Sequence, residues 1–213
     1  MLLKILMHYW NSDRMNLMKK QKYTAQKNEI LEKARDLFWK KGYDGTSLKD
    51  IAAACGFETT NIYYYYKNKE EILFEALNVE LVNLVEDTGH LKNPESESAV
   101  ERLRLFIDIE IKKHLGEHRL QGMLIDSELS NLSAPHRRKI VALRNKHDEI
   151  LSQIITDGIE EGVFRDTNVK LTVYTIASAI IRSRIWYSPS GSISLQEYSD
   201  FLFDFAFRAV KAG

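Results

Sequence analysis

The stretch SLKDIAAACGFETTNIYYYYKNK, residues 47–69, does most to limit what this chain can fold into. Leu48, Ile51, Ala52 and Cys55 fall at i, i+3, i+4 and i+7, one apolar stripe of a short helix. Ser47 is placed to cap its start, with Asp50 in the reciprocal position three residues on, where Glu or Gln is commoner. Gly56 supplies a turn position that tolerates positive φ. Thr59, Thr60, Asn61, Tyr63, Tyr64 and Tyr65 follow on a second helix, whose inward residues are Ile62 and Tyr66. Successive helical residues sit about 100° apart, so the tyrosine run cannot all enter one core. A β-strand would suit aromatic residues, but it leaves the capped helix and the glycine turn unexplained. The pattern predicts a helix-turn-helix presenting hydroxyls, an amide and aromatic edges outward. That chemistry suits a DNA major groove and its flanking phosphates.

Charge is divided along the chain in a way the total hides. The 213 residues carry 30 basic and 30 acidic side chains, for no net charge. Residues 1–70 alone hold 13 Lys and Arg against 8 Asp and Glu, a net of +5. The remainder carries −5. The cationic part is therefore the part with the helix-turn-helix, as an electrostatic footprint on DNA requires.

From about residue 25 to residue 73 the chain resembles the TetR-type transcriptional repressors. The resemblance covers the preceding helix, KNEILEKARDLFWKKGYDGTS with apolar Ile30, Ala34, Leu37 and Phe38, and the closing YKNKEEIL. It implies DNA-facing roles for Lys49, Thr59, Thr60, Asn61, Tyr63, Tyr64, Tyr65 and Lys69, and packing roles for Ile62 and Tyr66. Lys49, Tyr63 and Lys69 would chiefly hold phosphates. Glu58 departs from the family pattern, which often has a small hydroxyl cap there. A carboxylate favours a helix N-terminus but repels phosphate, so Glu58 is left out of the expected contacts.

Three prolines and ten glycines leave few breaks, which favours long helices throughout. The chain lacks a P-loop, a dinucleotide-binding glycine motif, H-E-x-x-H and a nucleophile elbow. No catalytic residue, metal site or cofactor is expected. The one cysteine, Cys55, excludes an intrachain disulfide and reads as a small thiol on the apolar stripe. Residues 1–23 form an extension left without a role. Its run Leu2, Leu3, Ile5, Leu6 and Met7 is too short to span a bilayer and lacks the cleavage site of a signal peptide. Met15 and Met18 offer alternative starts, so whether residues 1–17 are translated stays open. The expectation is a cytoplasmic protein with no membrane partner.

Beyond the head, Asn68 with Glu71 caps a helix through Leu73, Leu77, Leu81 and Leu84, fading near Gly89 and a loop at Pro94. Further helices are expected at about 99–115, with Leu103, Phe106, Ile107 and Glu110 near one face, and at about 120–129. Ser133 with Pro135 opens a long helix through Ile140, Leu143, Ile150, Leu151, Ile154 and Ile155, ended by Gly162. The last two helices, about 169–187 and 194–210, follow, the second opened by a Ser194/Glu197 capping box. LTVYTIASAIIRSRIWY and FLFDFAFRAV are apolar around more of their circumference than a monomer surface needs. They imply a second subunit, as the family resemblance also does, through a four-helix bundle.

The fold expected is all-α. A helix-turn-helix domain at 24–69 precedes a helical ligand-binding and dimerisation domain at 70–213. Residues from HRRKIVALRNKHDEIL to IWYSPSGSIS resemble, less specifically, the subgroup responding to acyl-coenzyme A. That resemblance makes Phe106, Glu110, Met123, Tyr174 and Trp186 candidate cavity residues. Arg182 and Arg184 are candidates for an anionic ligand group, since guanidinium suits carboxylate and phosphate. His114, His118 and His147 are expected as solvent-facing or hydrogen-bonded core histidines. The function expected is a repressor released from a palindromic double-stranded operator by a small apolar or acyl-CoA-like effector. The alternative is a DNA-binding regulator controlled by a protein partner.

Overall fold

A 40-residue helix opens the chain, α1 at Leu2–Lys41. Neither glycine nor proline interrupts residues 1–41, so nothing in the backbone chemistry stops the helix before Gly42, where φ is +72°. The computed structural model describes residues 2–93, 97–116 and 129–213, with side chains described from Leu17 onward. Met123, His118, all but the last residue of the helix expected at about 120–129, and the Pro94 loop tip lie outside the described residues.

Two compact units divide the chain, 1–73 and 74–213. The boundary falls inside α4 (Lys69–Gly89). In the first unit, α2 (Leu48–Ala54) and α3 (Thr59–Ile62) follow α1. Ser47 caps α2: its Oγ accepts from the Asp50 amide at 3.1 Å and its own amide donates to the Asp50 carboxylate at 2.8 Å. Asp is one methylene shorter than the usual Glu, yet it closes the box. Gly56 takes a φ of +67°, a conformation costly for other L-residues. Ile30, Ala34, Phe38, Ile51, Ala52, Ile62 and Tyr66 are all buried and form the core of this unit.

The second helix of the motif is shorter than the tyrosine run suggests. It ends at Ile62, and residues 63–65 continue as a hydrogen-bonded turn, with the Tyr64, Tyr65 and Tyr66 amides donating to Asn61 and Ile62 carbonyls. Glu58 at its N-cap makes no side-chain capping bond. An uncapped start and bulky aromatic residues of modest helix propensity both favour a short helix.

The second unit is built around α5 (Ala99–Leu115), which packs against α6 (Ala134–Glu160), α7 (Val169–Trp186) and α8 (Leu195–Val210). Capping boxes open α5 at Ser98/Glu101 and α8 at Ser194/Glu197. Leu103, Ile107, Ile111, Leu151, Ile154 and Ile180 meet in its core. Each such side chain contributes about 1.5–3 kcal/mol on burial. Ion pairing reinforces one end, where buried Arg102 donates to Asp157 at 2.7 Å and to the Leu91 carbonyl at 3.3 Å. Gly162 (φ +72°) turns the chain after α6, and Phe164 then pairs with Lys211 in an isolated antiparallel bridge.

Candidate nucleic-acid interface and body cavity

The outward chemistry of the first unit depends on how α3 is held. Ile62 and Tyr66 are buried, one turn apart, which rotates the residues between them outward. Tyr63 is 56% exposed and Tyr64 71% exposed. Thr60, Asn61 and Lys49 are also exposed, while Thr59 is half-buried. This face therefore carries one hydroxyl, one amide, two phenols and one ammonium group within reach of a binding partner.

Two of the expected contact residues have partners inside the protein. Tyr65 is half-buried, and its hydroxyl donates to Gln26 Oε1 of α1 at 2.7 Å. Its ring lies 4.9 Å from Tyr23 and 5.0 Å, edge-on, from Tyr64. Burial raises its phenol pKa, with the neighbouring tyrosines adding to the rise, so it remains a neutral donor. Lys69 Nζ donates to the carbonyls of Tyr43 at 2.7 Å and Thr46 at 2.8 Å, and sits 3.9 Å from the centre of the Tyr43 ring. Two of its three N–H donors are thus used to tie the start of α4 to the turn after α1. Both side chains are thus tied by these bonds to other parts of the first unit.

Cys55 ends α2 half-buried, and burial first, then the charge of Glu29, pushes its thiol up to about 11. A thiol so seldom ionised at neutral pH is a poor nucleophile.

In the second unit, α4, α5, α6 and α7 line a narrow cavity that is partly open to solvent. Leu81, Leu84, Phe106, Leu151, Val173 and Ile180 form its apolar wall. Glu110, His114, Arg144, His147, Asp148 and Arg184 supply its polar groups. Glu110 is buried and each carboxylate oxygen is engaged: Oε1 with His147 Nε2 and Oε2 with His114 Nε2, both at 3.1 Å. Desolvation acts to lower the His147 pKa, but hydrogen bonding to Glu110 and the charges of Glu110 and Asp148 outweigh it and raise the value. Phe106 covers the His147 ring at 5.5 Å between centres. Apolar walls with a few convergent polar groups are the usual make-up of a small-molecule site.

Of the cavity candidates read from the sequence, the structure brings together Phe106, Glu110 and Arg184. It places Tyr174, Arg182 and Trp186 elsewhere, on the exposed side of α7. Trp186 stacks edge-on over Tyr198 at 5.0 Å instead. Residues on one helix separated by two positions point roughly 200° apart, so Arg184 entering the cavity turns both Arg182 and Trp186 away. The histidine pair is the part that sequence reasoning left unassembled. Its one local signal was Glu110 and His114 at i, i+4; His147 arrives from another helix.

The outer face of α7 and α8 is apolar. Leu171, Tyr174, Ile181 and Ile185 are exposed on α7, and Phe201 and Phe205 are exposed on α8, stacked 6.4 Å apart.

Comparison with known proteins agrees with both units. The family profile described as bacterial regulatory proteins of the tetR family matches residues 30–76, and a tetracyclin repressor-like C-terminal domain profile matches residues 96–210. The transcriptional repressor KstR2 of Mycobacterium tuberculosis is 29% identical over 184 residues, covering 81% of this chain and 86% of its own. The TetR-family regulator PfmR of Thermus thermophilus superposes with a TM-score of 0.77 at 32% identity, over 84% of this chain and 97% of PfmR. AibR, solved with isovaleryl coenzyme A and operator DNA, shares the fold with a TM-score of 0.78 at 23% identity, over 85% of this chain and 98% of AibR.

Proposed function

The chain belongs to the tetR family of bacterial regulatory proteins, and from that premise we propose a ligand-released repressor of specific DNA sites. It is a DNA-binding transcriptional regulator rather than an enzyme. In our reading Thr60 and Asn61 meet base edges, while Lys49, Tyr63 and Tyr64 meet the flanking backbone. Phosphate contacts set register and base contacts set sequence preference. Thr59, Tyr65 and Lys69 keep that surface in place.

Two copies join through α7 and α8. Leu171, Tyr174, Ile181, Ile185, Phe201 and Phe205 are large apolar side chains exposed on these two helices, which suits burial against a second copy. A two-fold dimer presents two heads to half-sites about one helical turn apart or somewhat more.

The observation that carries the regulatory reading is the apolar-walled cavity of the second unit. Its hydrophobic lining suits a lipid-like acyl compound, and the relative AibR has been solved with an acyl-coenzyme A. Such a ligand releases DNA only if it binds the non-operator conformation more tightly, since equal affinity for both shifts nothing. The deciding experiment selects a duplex from a random library and titrates acyl-coenzyme A esters of graded chain length into the complex. Native mass spectrometry of the purified dimer runs alongside. Release by one chain-length class, or a retained acyl compound, supports the proposal. Full occupancy of DNA at saturating ester, with an empty dimer, would transfer control to a protein partner.

A further inference from the structure

Arg184 enters the cavity from α7, and its Nε and Nη2 are buried with no hydrogen-bond partner among the described residues. The two oxygens of Glu110 face His114 and His147 at 3.1 Å each, and Glu110 makes no hydrogen bond to Arg184 Nε or Nη2. His114, which also lines the cavity, has a buried Nδ1 with no partner among the described residues. Burial lowers the guanidinium pKa to about 10, against the raising effect of Glu80 and Glu110, so the group remains a cation at neutral pH. Buried donors left unmade are costly, whereas the same donors paired with an oxygen acceptor are favourable. The cavity therefore combines guanidinium donors that have no partner among the described residues with a hydrocarbon lining.

We propose that Arg184 receives the carbonyl oxygen of an acyl effector, with the hydrocarbon chain lying along Leu81, Leu84, Phe106 and Leu151. This rests on the reading above that a lipid-like compound occupies the cavity, and it assigns which atom of that compound is recognised. The planar guanidinium fork offers parallel donors, which match a carbonyl or carboxylate oxygen better than a hydroxyl or a thioether sulfur. A thioester and a free fatty acid share this chemistry, and they differ in whether a charge accompanies the oxygen. Glu110 stays bridged to its two histidines and does not compete.

Three probes separate the possibilities: decanoyl-coenzyme A, decanoate, and S-decyl-coenzyme A, a thioether that differs from the first by loss of the carbonyl oxygen. Isothermal titration of the wild-type dimer is expected to show either decanoyl-coenzyme A or decanoate binding at least tenfold more tightly than the thioether. Preference between the first two identifies the source. In Arg184→Met that advantage disappears while thioether binding is retained, and Arg184→Lys restores part of it. Unchanged far-UV circular dichroism and an unchanged urea unfolding midpoint show that the variants are folded. Equal binding of thioester and thioether by the wild type overturns the assignment without any mutant and leaves the lipid-effector reading intact. So does an Arg184→Met variant that keeps the carbonyl preference. If none of the three probes binds, the effector reading and this assignment fall together.

Discussion

Replacing Lys69 by Met separates two roles that a lysine beside DNA can play. In the structure its ammonium makes bonds of 2.7 and 2.8 Å to the Tyr43 and Thr46 carbonyls and lies 3.9 Å from the Tyr43 ring centre. Hydrogen bonds involving a charged group contribute about 1.5–3 kcal/mol each, and a cation over an exposed aromatic ring adds about 0.5–1 kcal/mol. The site is only half-buried, and freeing a lysine returns up to about 2 kcal/mol of side-chain entropy. The net expectation is a loss of about 2 kcal/mol, roughly a thirtyfold shift in the unfolding equilibrium of the 1–73 unit. Urea unfolding followed by far-UV circular dichroism reads that loss. DNA titrations at several salt concentrations read the other role, because each phosphate contact adds about 0.9 to the slope of log affinity against log salt. A lysine that mainly clamps the turn lowers the unfolding midpoint and leaves the slope unchanged. An unaltered midpoint with a slope reduced by about two per dimer would refute the clamp and make Lys69 a phosphate ligand.

Three further outcomes are expected. Gly158→Ala drives a methyl into Cδ2 and Cε2 of the buried Phe164 ring, well inside van der Waals contact; overpacking of that kind costs about 3 kcal/mol or more, measurable as a drop in Tm, and a change under about 1 kcal/mol would show that the ring can yield. His147 has its pKa raised in the fold, so its contribution to stability is present in full below the ordinary imidazole value of about 6.5 and fades as pH rises through the higher folded value. Unfolding midpoints on either side of that window should fall with rising pH, and His147→Gln should flatten the trend. Cys55, with its thiol pushed up to about 11, should react with a chromogenic disulfide reagent far more slowly at neutral pH in the folded protein than in urea; equal rates contradict the burial argument.

Short-range chemistry was readable from residue order alone. The Ser47/Asp50 and Ser194/Glu197 boxes, the Gly162 stop and the buried stripe of Ile51 and Ala52 each depend on residues within about one or two turns of one another. Helical spacing and cap chemistry act at that range, so the all-α class and the outward turn of Tyr63 and Tyr64 followed from it. The length of α3 did not, because propensity sets a helix end only weakly.

Tertiary structure decided which side chains share the cavity. Glu110, His147 and Arg184 come from α5, α6 and α7, and nothing local says that three helices will turn those faces toward one another. Arg182, Arg184 and Trp186 looked equally eligible on one apolar helix, and the packing of α7 against α5 and α6 chose its rotation and hence Arg184. Lys69 was legible as a cation near the head, but the carbonyls that hold it lie 23 and 26 residues away. The alphabet and its spacing determine which faces a helix has. How those faces are set against each other is a property of close packing among segments distant in the chain, and that is where the specificity of the cavity arises.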